Sequence, residues 1–328
     1  MASPRTWVAP TGTAGTFHVI SRCTRRAWLL HGEHAHRRDW FCGLAGELLT
    51  DFRIDLHAYA VMANHVHLVL RPRPDRVAAL SAEQIAEAGH RVMPLRGGAD
   101  RSALPATSEL HQRLAQATPW LSEYRQRLGS LSWFMRCLKQ RFAMRANAES
   151  DCRGHFWESR FHSVPLLDLG AVVGCMVYVD LNPFRAGVAD QPEHAPFTSL
   201  RARLHGDCLG ADEGALAAHL TPLTDAAPVD ALTGTLPGCD LQLADYLDLI
   251  RAGAQTQTVG TIRAGNLLTS PHAWASCMTA PGRFQGTAVG SAAERSRLAT
   301  RLGRARIHDA TGLYPTTPAS CSRRIKDA

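Results

Sequence analysis

The stretch over residues 58–70 constrains the fold more than any other part of this sequence, because it holds two short apolar runs that meet at residues 63–64. The second run carries His65 and His67, two residues apart. Successive side chains of a β-strand point to opposite faces, so both imidazoles are expected on one face, about 7 Å apart along the strand. Val69 shares that face, and the other apolar side chains of the strand face a core: Val66, Leu68 and Leu70. The stretch therefore predicts a β-hairpin whose second strand carries a histidine pair.

A histidine pair of this kind has two interpretations. The imidazoles can bind one metal ion together, or they can simply lie on the more solvent-exposed face of a half-buried strand. For an isolated pair the second interpretation is the commoner case. A second feature, more than a hundred residues downstream, is needed to decide between them.

The composition describes an ordinary globular protein rather than a membrane or disulfide-rich one. The 328 residues suggest about two domains, and 45% of them are hydrophobic and 20% charged. No apolar run approaches the roughly 18 residues of a membrane span, and the first residues lack the apolar segment of a secretory signal. Nine cysteines without a Cys-x-x-Cys pair argue against a disulfide framework and against a zinc knuckle. A reducing, cytoplasmic setting is therefore expected.

The net charge of +7 is concentrated in the first part of the chain. Residues 1–188 contain 23 Lys and Arg against 16 Asp and Glu, whereas residues 189–328 contain 13 of each. A basic region of this size favours a phosphate-rich partner. Lysine occurs only at positions 139 and 326, however, so the abundance of arginine also fits a compositional bias of the genome.

The periodicity of the apolar residues predicts a chain of mixed helices and strands. Strands are predicted over residues 17–23, 56–62, 65–71 and 164–167, and helices over 39–52, 131–142, 168–181 and 241–251. The pattern is weak from 76 to about 118, and we interpret this part as an insertion with helical pieces. One of these pieces is expected to open with a capping box formed by Ser81 and Gln84.

The helix that begins at Asp168 carries the second feature. Tyr178 and Asn182 are four residues apart and therefore on one face, which differs from the apolar stripe of the helix. That stripe consists of Ala171, Val172, Cys175, Met176 and Val179. A helix packed on a sheet could bring this phenol and this amide up to the histidine pair. For any single tyrosine, however, a half-buried ring with its hydroxyl in water is the commoner arrangement.

Two imidazole nitrogens and one amide oxygen leave positions open on a six-coordinate ion. That set suits Mg²⁺ or Mn²⁺ holding a phosphate oxygen better than a closed tetrahedral zinc site. Such an ion polarises a phosphodiester and orients its leaving oxygen. A tyrosine hydroxyl is mostly protonated at neutral pH, so it needs a cationic neighbourhood or a nearby base to act as a nucleophile.

His65-Val66-His67, taken together with residues 178–187, resembles the motifs of the IS200-like single-tyrosine transposases, in particular their REP-associated tyrosine transposase branch. Residues 154–161 resemble the Trp-x-x-Arg-Phe stretch of that family, and residues 196–200 resemble a stretch that commonly follows. The three motifs in this order are specific together, although each alone is weak. The likeness covers roughly residues 15–75 and 129–204.

The resemblance implies an HUH nuclease core, which is an α+β fold with a ferredoxin-like antiparallel sheet and helices packed on it. This domain would span residues 1–204, with an insertion at about 76–128, and a mainly helical or irregular extension would follow over residues 205–328. The resemblance further implies a DNA partner, namely hairpin-forming single-stranded DNA, and suggests a homodimer.

The roles of individual residues also follow from the resemblance. His65 and His67 would bind the Mg²⁺ or Mn²⁺ ion, and Tyr178 would cleave single-stranded DNA, leaving a 5′-phosphotyrosine link and a 3′-hydroxyl. Asn182 matches the position of a third, polar ligand. Seven basic residues are candidates for contacts with the DNA backbone: Arg22, Arg25, Arg26, Arg71, Arg136, Lys139 and Arg160.

Two other functions stay open at this stage. A DNA-binding regulator derived from a transposase would keep the fold without cleavage. A metal-dependent phosphodiester hydrolase would attack with a bound water and would not need Tyr178. The presence of His65, His67 and Tyr178 speaks against the regulator.

Overall fold

A four-stranded antiparallel sheet forms the centre of the computed structural model, which describes residues 15–97, 102–223, 230–231, 234–235, 241–254, 288–301 and 307. The strands are β1 (Thr16–Arg22), β2 (Ile54–Val61), β3 (His65–Pro72) and β4 (His162–Leu166). Their order across the sheet is β2-β3-β1-β4, and every neighbouring pair is antiparallel. Helices separate β1 from β2 and β3 from β4, which is the ferredoxin-like arrangement. The predicted α+β fold with an antiparallel sheet is therefore confirmed.

The helices cover both faces of this sheet and account for most of the remaining described chain. Their bounds are α1 (Arg37–Asp51), α2 (Pro74–Ala78), α3 (Ala82–Val92), α4 (Ser108–Gln116), α5 (Thr118–Leu128), α6 (Leu131–Glu149), α7 (Leu169–Asp180), α8 (Asn182–Arg185), α9 (Ser199–His205), α10 (Ala211–Ala217), α11 (Leu243–Ala254) and α12 (Ala292–Arg301). Two-residue strand pairs join Arg96–Gly97 to Ser102–Ala103 and Asp230–Ala231 to Gly234–Thr235. None of the helices in the described ranges is long and apolar enough to cross a membrane.

The β2–β3 hairpin forms as predicted, and its alternation divides the core in two. Val66, Leu68 and Leu70 pack in the larger apolar cluster, together with residues of α1 and α6. Val69 points to the opposite face and packs in a second cluster with residues of α7. The histidines at odd-numbered positions of β3 therefore face the side of the sheet that α7 covers.

The region from 76 to 128 contains three helices, α3 to α5, and the last residues of α2. The predicted capping box is present at the start of α3: the backbone N–H of Gln84 donates to Ser81 Oγ at 3.2 Å, and the backbone N–H of Ser81 donates to Gln84 Oε1 at 2.9 Å. These two hydrogen bonds satisfy backbone N–H groups that otherwise have no partner at the start of a helix.

Helix α7 is buried on all sides rather than along one stripe. Every residue from Ala171 to Asp180 is buried, because α11 packs on the side of α7 that faces away from the sheet. The sequence pattern predicted the stripe toward the sheet but not this second contact. Residues 255–287, 302–306 and 308–328 of the predicted extension lie outside the described residues.

The pH dependence of folding should reflect His57, which lies at a β-bulge in β2 and is 3% exposed. Burial, aided by nearby arginines, lowers its pKa to about 4. The unfolded chain, in which a histidine pKa is about 6.5, therefore binds more protons between these values. With respect to His57, the free energy of unfolding is therefore highest above pH 6.5 and decreases as the pH drops toward 4. We expect this residue to lower the free energy of unfolding by about 2 kcal/mol between pH 7 and pH 5.

Urea unfolding of the wild type and of His57→Gln at the two pH values measures this contribution. The exposed His155 provides a matched control, His155→Gln. We expect His155→Gln to keep the pH dependence of the wild type and His57→Gln to lose part of it. If both variants keep the full pH dependence, His57 does not cause the loss of stability at low pH.

Candidate functional site

The histidine pair lies at the start of β3, beside the neighbouring strand β1. His67 is opposite Ile20 and His65 is opposite Arg22 in the antiparallel register. His67 is 2% exposed, and its ring centroid lies 4.8 Å from that of His65. The two imidazoles are therefore adjacent, on the face that the alternation predicted.

A third histidine, His18 on β1, belongs to the same cluster and was missed by the sequence analysis. Its Nε2 lies 2.8 Å from His67 Nδ1, and the two rings are stacked with centroids 5.1 Å apart. The alternation of β1 places His18 on one face with Ile20, which is a weak signal. The contact itself depends on the pairing of β1 with β3, and this register cannot be read from either strand alone.

Both histidines of the pair have their Nδ1 atoms engaged. His65 Nδ1 lies 2.7 Å from Asn64 Oδ1, an acceptor, so His65 carries its proton on Nδ1 and has its lone pair on Nε2. His67 Nδ1 bonds to His18, while His67 Nε2 is buried without a hydrogen-bond partner among the described residues. Metal-binding histidines have this arrangement, in which one ring nitrogen is held by a neighbour and the other is left for the ion.

Burial keeps both imidazoles neutral at physiological pH. It lowers the pKa of His65 to about 4 and that of His67 well below its ordinary value, and the guanidinium of Arg22 adds to both effects. A neutral imidazole is the form that binds a metal ion. A buried polar atom without a partner is also costly for a folded protein, by about 1–3 kcal/mol. His67 Nε2 therefore fits the role of a ligand whose ion completes the site.

Tyr178 lies against this cluster from the third turn of α7. Its ring centroid is 6.1 Å from that of His67 and 6.0 Å from that of His18, with the rings edge to face. The helix is started by Asp168, whose side chain accepts a hydrogen bond from the backbone N–H of Ala171 at 2.9 Å. The tyrosine is 7% exposed, so it is not the half-buried surface residue that a single helical tyrosine usually is.

Asn182 lies close to Tyr178 but turns toward its own helix. Leu181 between α7 and α8 has helical backbone angles, so the two residues stay one turn apart. The side-chain amide of Asn182 donates to the backbone carbonyl of Tyr178 at 3.5 Å. Its role as an ion ligand stays a prediction, and it requires the side chain to turn away from this carbonyl.

The protein itself supplies an incomplete set of metal ligands. Within the described ranges, no group of three or more His, Cys, Asp or Glu side chains is arranged to hold a metal ion. The two Nε2 atoms would provide two ligands to such an ion, and oxygens of a substrate and of water would provide the others. Open positions of this kind are typical of catalytic rather than structural metal sites.

Three of the predicted DNA-binding residues lie beside the histidine pair, at the end of β1 and in the turn that follows it. Arg25 and Arg26 are exposed in the short 3₁₀ turn Thr24–Arg26, and Arg22 is half-buried at the end of the strand. The side chain of Asn64 links this turn to the site, because its amide donates to the carbonyl oxygen of Arg26 at 2.9 Å.

Three others line a groove of about 650 Å³ between α6 and residues 154–161: Arg136, Lys139 and Arg160. The Lys139 ammonium donates to the carbonyl oxygen of Ser159 at 2.6 Å, and burial lowers its pKa to about 8. Trp157 forms part of the wall but is 7% exposed, and its indole N–H donates to the carbonyl oxygen of Lys139. This tryptophan therefore belongs to the larger apolar cluster of the core.

Arg71 is the exception among the seven, because it is 2% exposed. A side chain enclosed by the protein cannot reach a phosphate backbone on the surface, so the prediction for this residue is wrong. The reason is its position on β3, where it faces the interior beneath the helices that cover the sheet. Sequence position alone placed it at the last residue of the predicted strand, where an arginine is normally exposed.

A buried carboxylate two residues after Tyr178 was also missed. Asp180 is fully buried and accepts hydrogen bonds from Ser199 Oγ at 2.6 Å, from the Leu200 N–H at 2.9 Å and from the Tyr246 hydroxyl at 2.6 Å. Burial nevertheless raises its pKa. The carboxylate joins α7 to α9 and α11, and thereby holds the helix that carries Tyr178.

Comparisons with known proteins give one distant likeness. No model of a protein family matches this chain, and no curated protein does. A solved structure of a REP-associated tyrosine transposase bound to a REP hairpin is similar over 60% of this chain and 84% of its own, at 14% sequence identity and a TM-score of 0.35. At these values the likeness is a distant structural one, and the assignment of the site rests on the geometry described above.

Proposed function

We propose that this protein cleaves and rejoins single-stranded DNA, with Tyr178 as the nucleophile and a divalent ion held by His65 and His67. The observation that carries the proposal is the distance of about 6 Å between the ring of Tyr178 and that of His67. The two residues are more than a hundred positions apart in the sequence and on different elements. Their meeting supports a site in which a phenol and two imidazole Nε2 atoms act on one phosphate.

The chain's own residues have distinct tasks in this reaction. His65 and His67 would hold Mg²⁺ or Mn²⁺, which supplies Lewis-acid polarisation of the scissile phosphate when bound. Asn64 and His18 engage the Nδ1 atoms of the pair and so leave each Nε2 available to an ion. Arg22, Arg25 and Arg26 lie where they can bind neighbouring phosphates.

The covalent step exchanges one phosphoester for another. The phenol oxygen of Tyr178 bonds to the scissile phosphorus, the bond from phosphorus to O3′ breaks, and O3′ gains a proton while the phenol loses one. The product is a 5′-phosphotyrosine link and a free 3′-hydroxyl. Because the ester bond is retained, a 3′-hydroxyl can reverse the step at the same or another strand without a nucleotide cofactor.

Incubation with end-labelled, hairpin-forming single-stranded DNA and Mn²⁺ tests the proposal. We expect a DNA–protein adduct that survives denaturing electrophoresis and that falls by at least about 10⁴-fold in Tyr178→Phe, since removal of a nucleophile leaves little residual catalysis. Of the four other tyrosines in the sequence, the buried Tyr124 provides a matched control, Tyr124→Phe, whose adduct should equal that of the wild type.

Two outcomes would contradict the proposal in different ways. Strand cleavage that survives in Tyr178→Phe would indicate a hydrolase that attacks with water. Binding of the hairpin DNA without any adduct in the wild type would indicate a DNA-binding regulator.

A further inference from the structure

The turn that follows β1 has an unusual backbone for its sequence. Arg25 (φ 53°, ψ 18°) and Arg26 (φ 57°) are two consecutive non-glycine residues in the left-handed region, which side chains with a Cβ rarely occupy. Backbone hydrogen bonds hold the turn on two sides: the Thr24 N–H donates to the Phe156 carbonyl at 2.9 Å, and the Cys23 N–H donates to the Asn64 carbonyl at 2.8 Å. The turn is therefore fixed to the rest of the protein.

An aromatic side chain is exposed to solvent two residues after this turn. Trp28 is 67% exposed, which is the largest value among the large apolar side chains that the structure describes. Its ring contacts that of His31 edge to face, with centroids 5.5 Å apart, so one side of the indole is supported. Burial of a tryptophan is strongly favourable, and a fixed, exposed ring at this place is available for a binding partner.

The charges around Trp28 favour a polyanion. Arg25 and Arg26 are exposed and take part in no ion pair among the described residues. The acidic residues nearest in sequence and in the adjoining segment 154–161 are Glu33 and Glu158. Glu33 lies 3.5 Å from the ring nitrogen of His34, and Glu158 is exposed on residues 154–161. Two exposed arginines without an ion-pair partner among the described residues therefore precede Trp28 in the chain.

The same turn is joined to the site through one side chain. Asn64 donates to the carbonyl oxygen of Arg26 at 2.9 Å and accepts from His65 Nδ1 at 2.7 Å. One side chain therefore separates the turn from the imidazole of His65. This continuity distinguishes the turn from an arginine-rich surface elsewhere on the protein.

We propose that Trp28, Arg25 and Arg26 form a binding platform for an unpaired nucleotide of the DNA strand, on which the base stacks against the indole and the adjoining phosphates meet the guanidinium groups. The proposal rests on the proposed function and assigns a substrate-binding surface to it. Stacking on an exposed aromatic ring requires an unpaired base, because the faces of paired bases are covered by their neighbours in a duplex. The platform thus selects single-stranded over double-stranded DNA beside the histidine pair.

Equilibrium binding in the absence of divalent ions tests the platform separately from cleavage. Fluorescence anisotropy of a labelled, unstructured 12-nucleotide oligonucleotide would be measured with the full chain carrying Tyr178→Phe, alone and with each further substitution. We expect Trp28→Ala to weaken binding about tenfold and Trp28→Phe, which keeps a ring, to weaken it about threefold or less. Arg25→Gln should lower the slope of log affinity against log salt by about 0.7.

Two controls make the result specific. Met144→Ala truncates another exposed apolar side chain, 62% exposed on α6, and should bind as its parent does. A duplex of the same sequence should bind Trp28→Ala and its parent equally. Unchanged oligonucleotide affinity in Trp28→Ala, an equal loss for the duplex, or no measurable oligonucleotide binding by the parent would each overturn the platform.

The platform and the proposed function can fail separately. A wild-type protein that forms no adduct, while its oligonucleotide affinity depends on Trp28 as expected, would refute the nuclease but not the platform. A Tyr178-dependent adduct together with full affinity in Trp28→Ala would refute the platform but not the nuclease.

Discussion

Replacement of His67 by asparagine should abolish adduct formation with single-stranded DNA and lower the affinity for Mn²⁺ by more than about 100-fold. The amide of an asparagine can take the place of Nδ1 and keep a hydrogen bond to His18 Nε2, which lies 2.8 Å from it in the wild type. The variant lacks the outer ring atoms Cε1 and Nε2, and Nε2 is buried and without a partner among the described residues in the wild type. The substitution therefore removes the proposed ligand atom and keeps the hydrogen bond to His18.

Isothermal titration with Mn²⁺ measures the affinity, and thermal unfolding without metal checks that His67→Asn folds. An exposed histidine at the end of α9 provides the control, because His205→Asn should leave both the affinity and the adduct unchanged. Wild-type Mn²⁺ affinity in a folded His67→Asn protein would show that the pair does not hold the ion.

Replacement of Asp180 by alanine should lower the free energy of unfolding by about 4 kcal/mol. The substitution leaves three buried donors without their acceptor, namely the hydroxyls of Ser199 and Tyr246 and the N–H of Leu200. Each buried donor without a partner costs about 1–3 kcal/mol of folding free energy. Local rearrangement after loss of the carboxylate recovers only part of this cost. Because the carboxylate joins α7 to α9 and α11, adduct formation through Tyr178 should fall as well.

Two milder variants distinguish the network from a general effect of mutating the core. Asp180→Asn keeps one oxygen acceptor and should cost about 1–2 kcal/mol, and Tyr246→Phe removes one donor and should cost about 1 kcal/mol. Chemical denaturation monitored by circular dichroism gives all three values. A loss below 1 kcal/mol in Asp180→Ala would mean that these hydrogen bonds contribute little.

The sequence pattern predicted those features that depend on local periodicity. The two-residue period of β3 placed Val66, Leu68 and Leu70 on one face and the histidine pair on the other. The four-residue spacing on α7 predicted that Tyr178 could approach the pair, and the bounds of the strands lie within about two residues of those predicted. Periodicity is set by the local sequence, so it can be read without knowing which other elements pack against the strand or helix.

The features that the sequence could not predict depend on which elements meet. His18 joins the site only because β1 pairs with β3 in one particular register. Asp180 finds its partners on α9 and α11, whose positions no local pattern specifies. Arg71 is enclosed for the same reason, since the helices that cover its face are distant in sequence. The pairing and packing of distant segments depend on the whole core. They are therefore difficult to predict from the pattern of a single sequence.

The left-handed turn at Arg25 and Arg26 was unpredictable for a different reason. Glycine and asparagine are the usual signals for positive φ, and neither occurs at these positions. The conformation is imposed from outside, by hydrogen bonds from Asn64 and to residues 154–161. Strain of this kind is a tertiary property and is concentrated at functional sites.

The position of a bound Mn²⁺ ion relative to Tyr178 tests the central claim most directly. Crystals of the full chain soaked with Mn²⁺ would be examined by anomalous diffraction, which locates the ion independently of any assumed ligand. We expect one peak within coordination distance of Nε2 of both His65 and His67, beside the ring of Tyr178. A peak that contacts neither imidazole, or a phenol that lies on the far side of the sheet from the ion, would contradict the account.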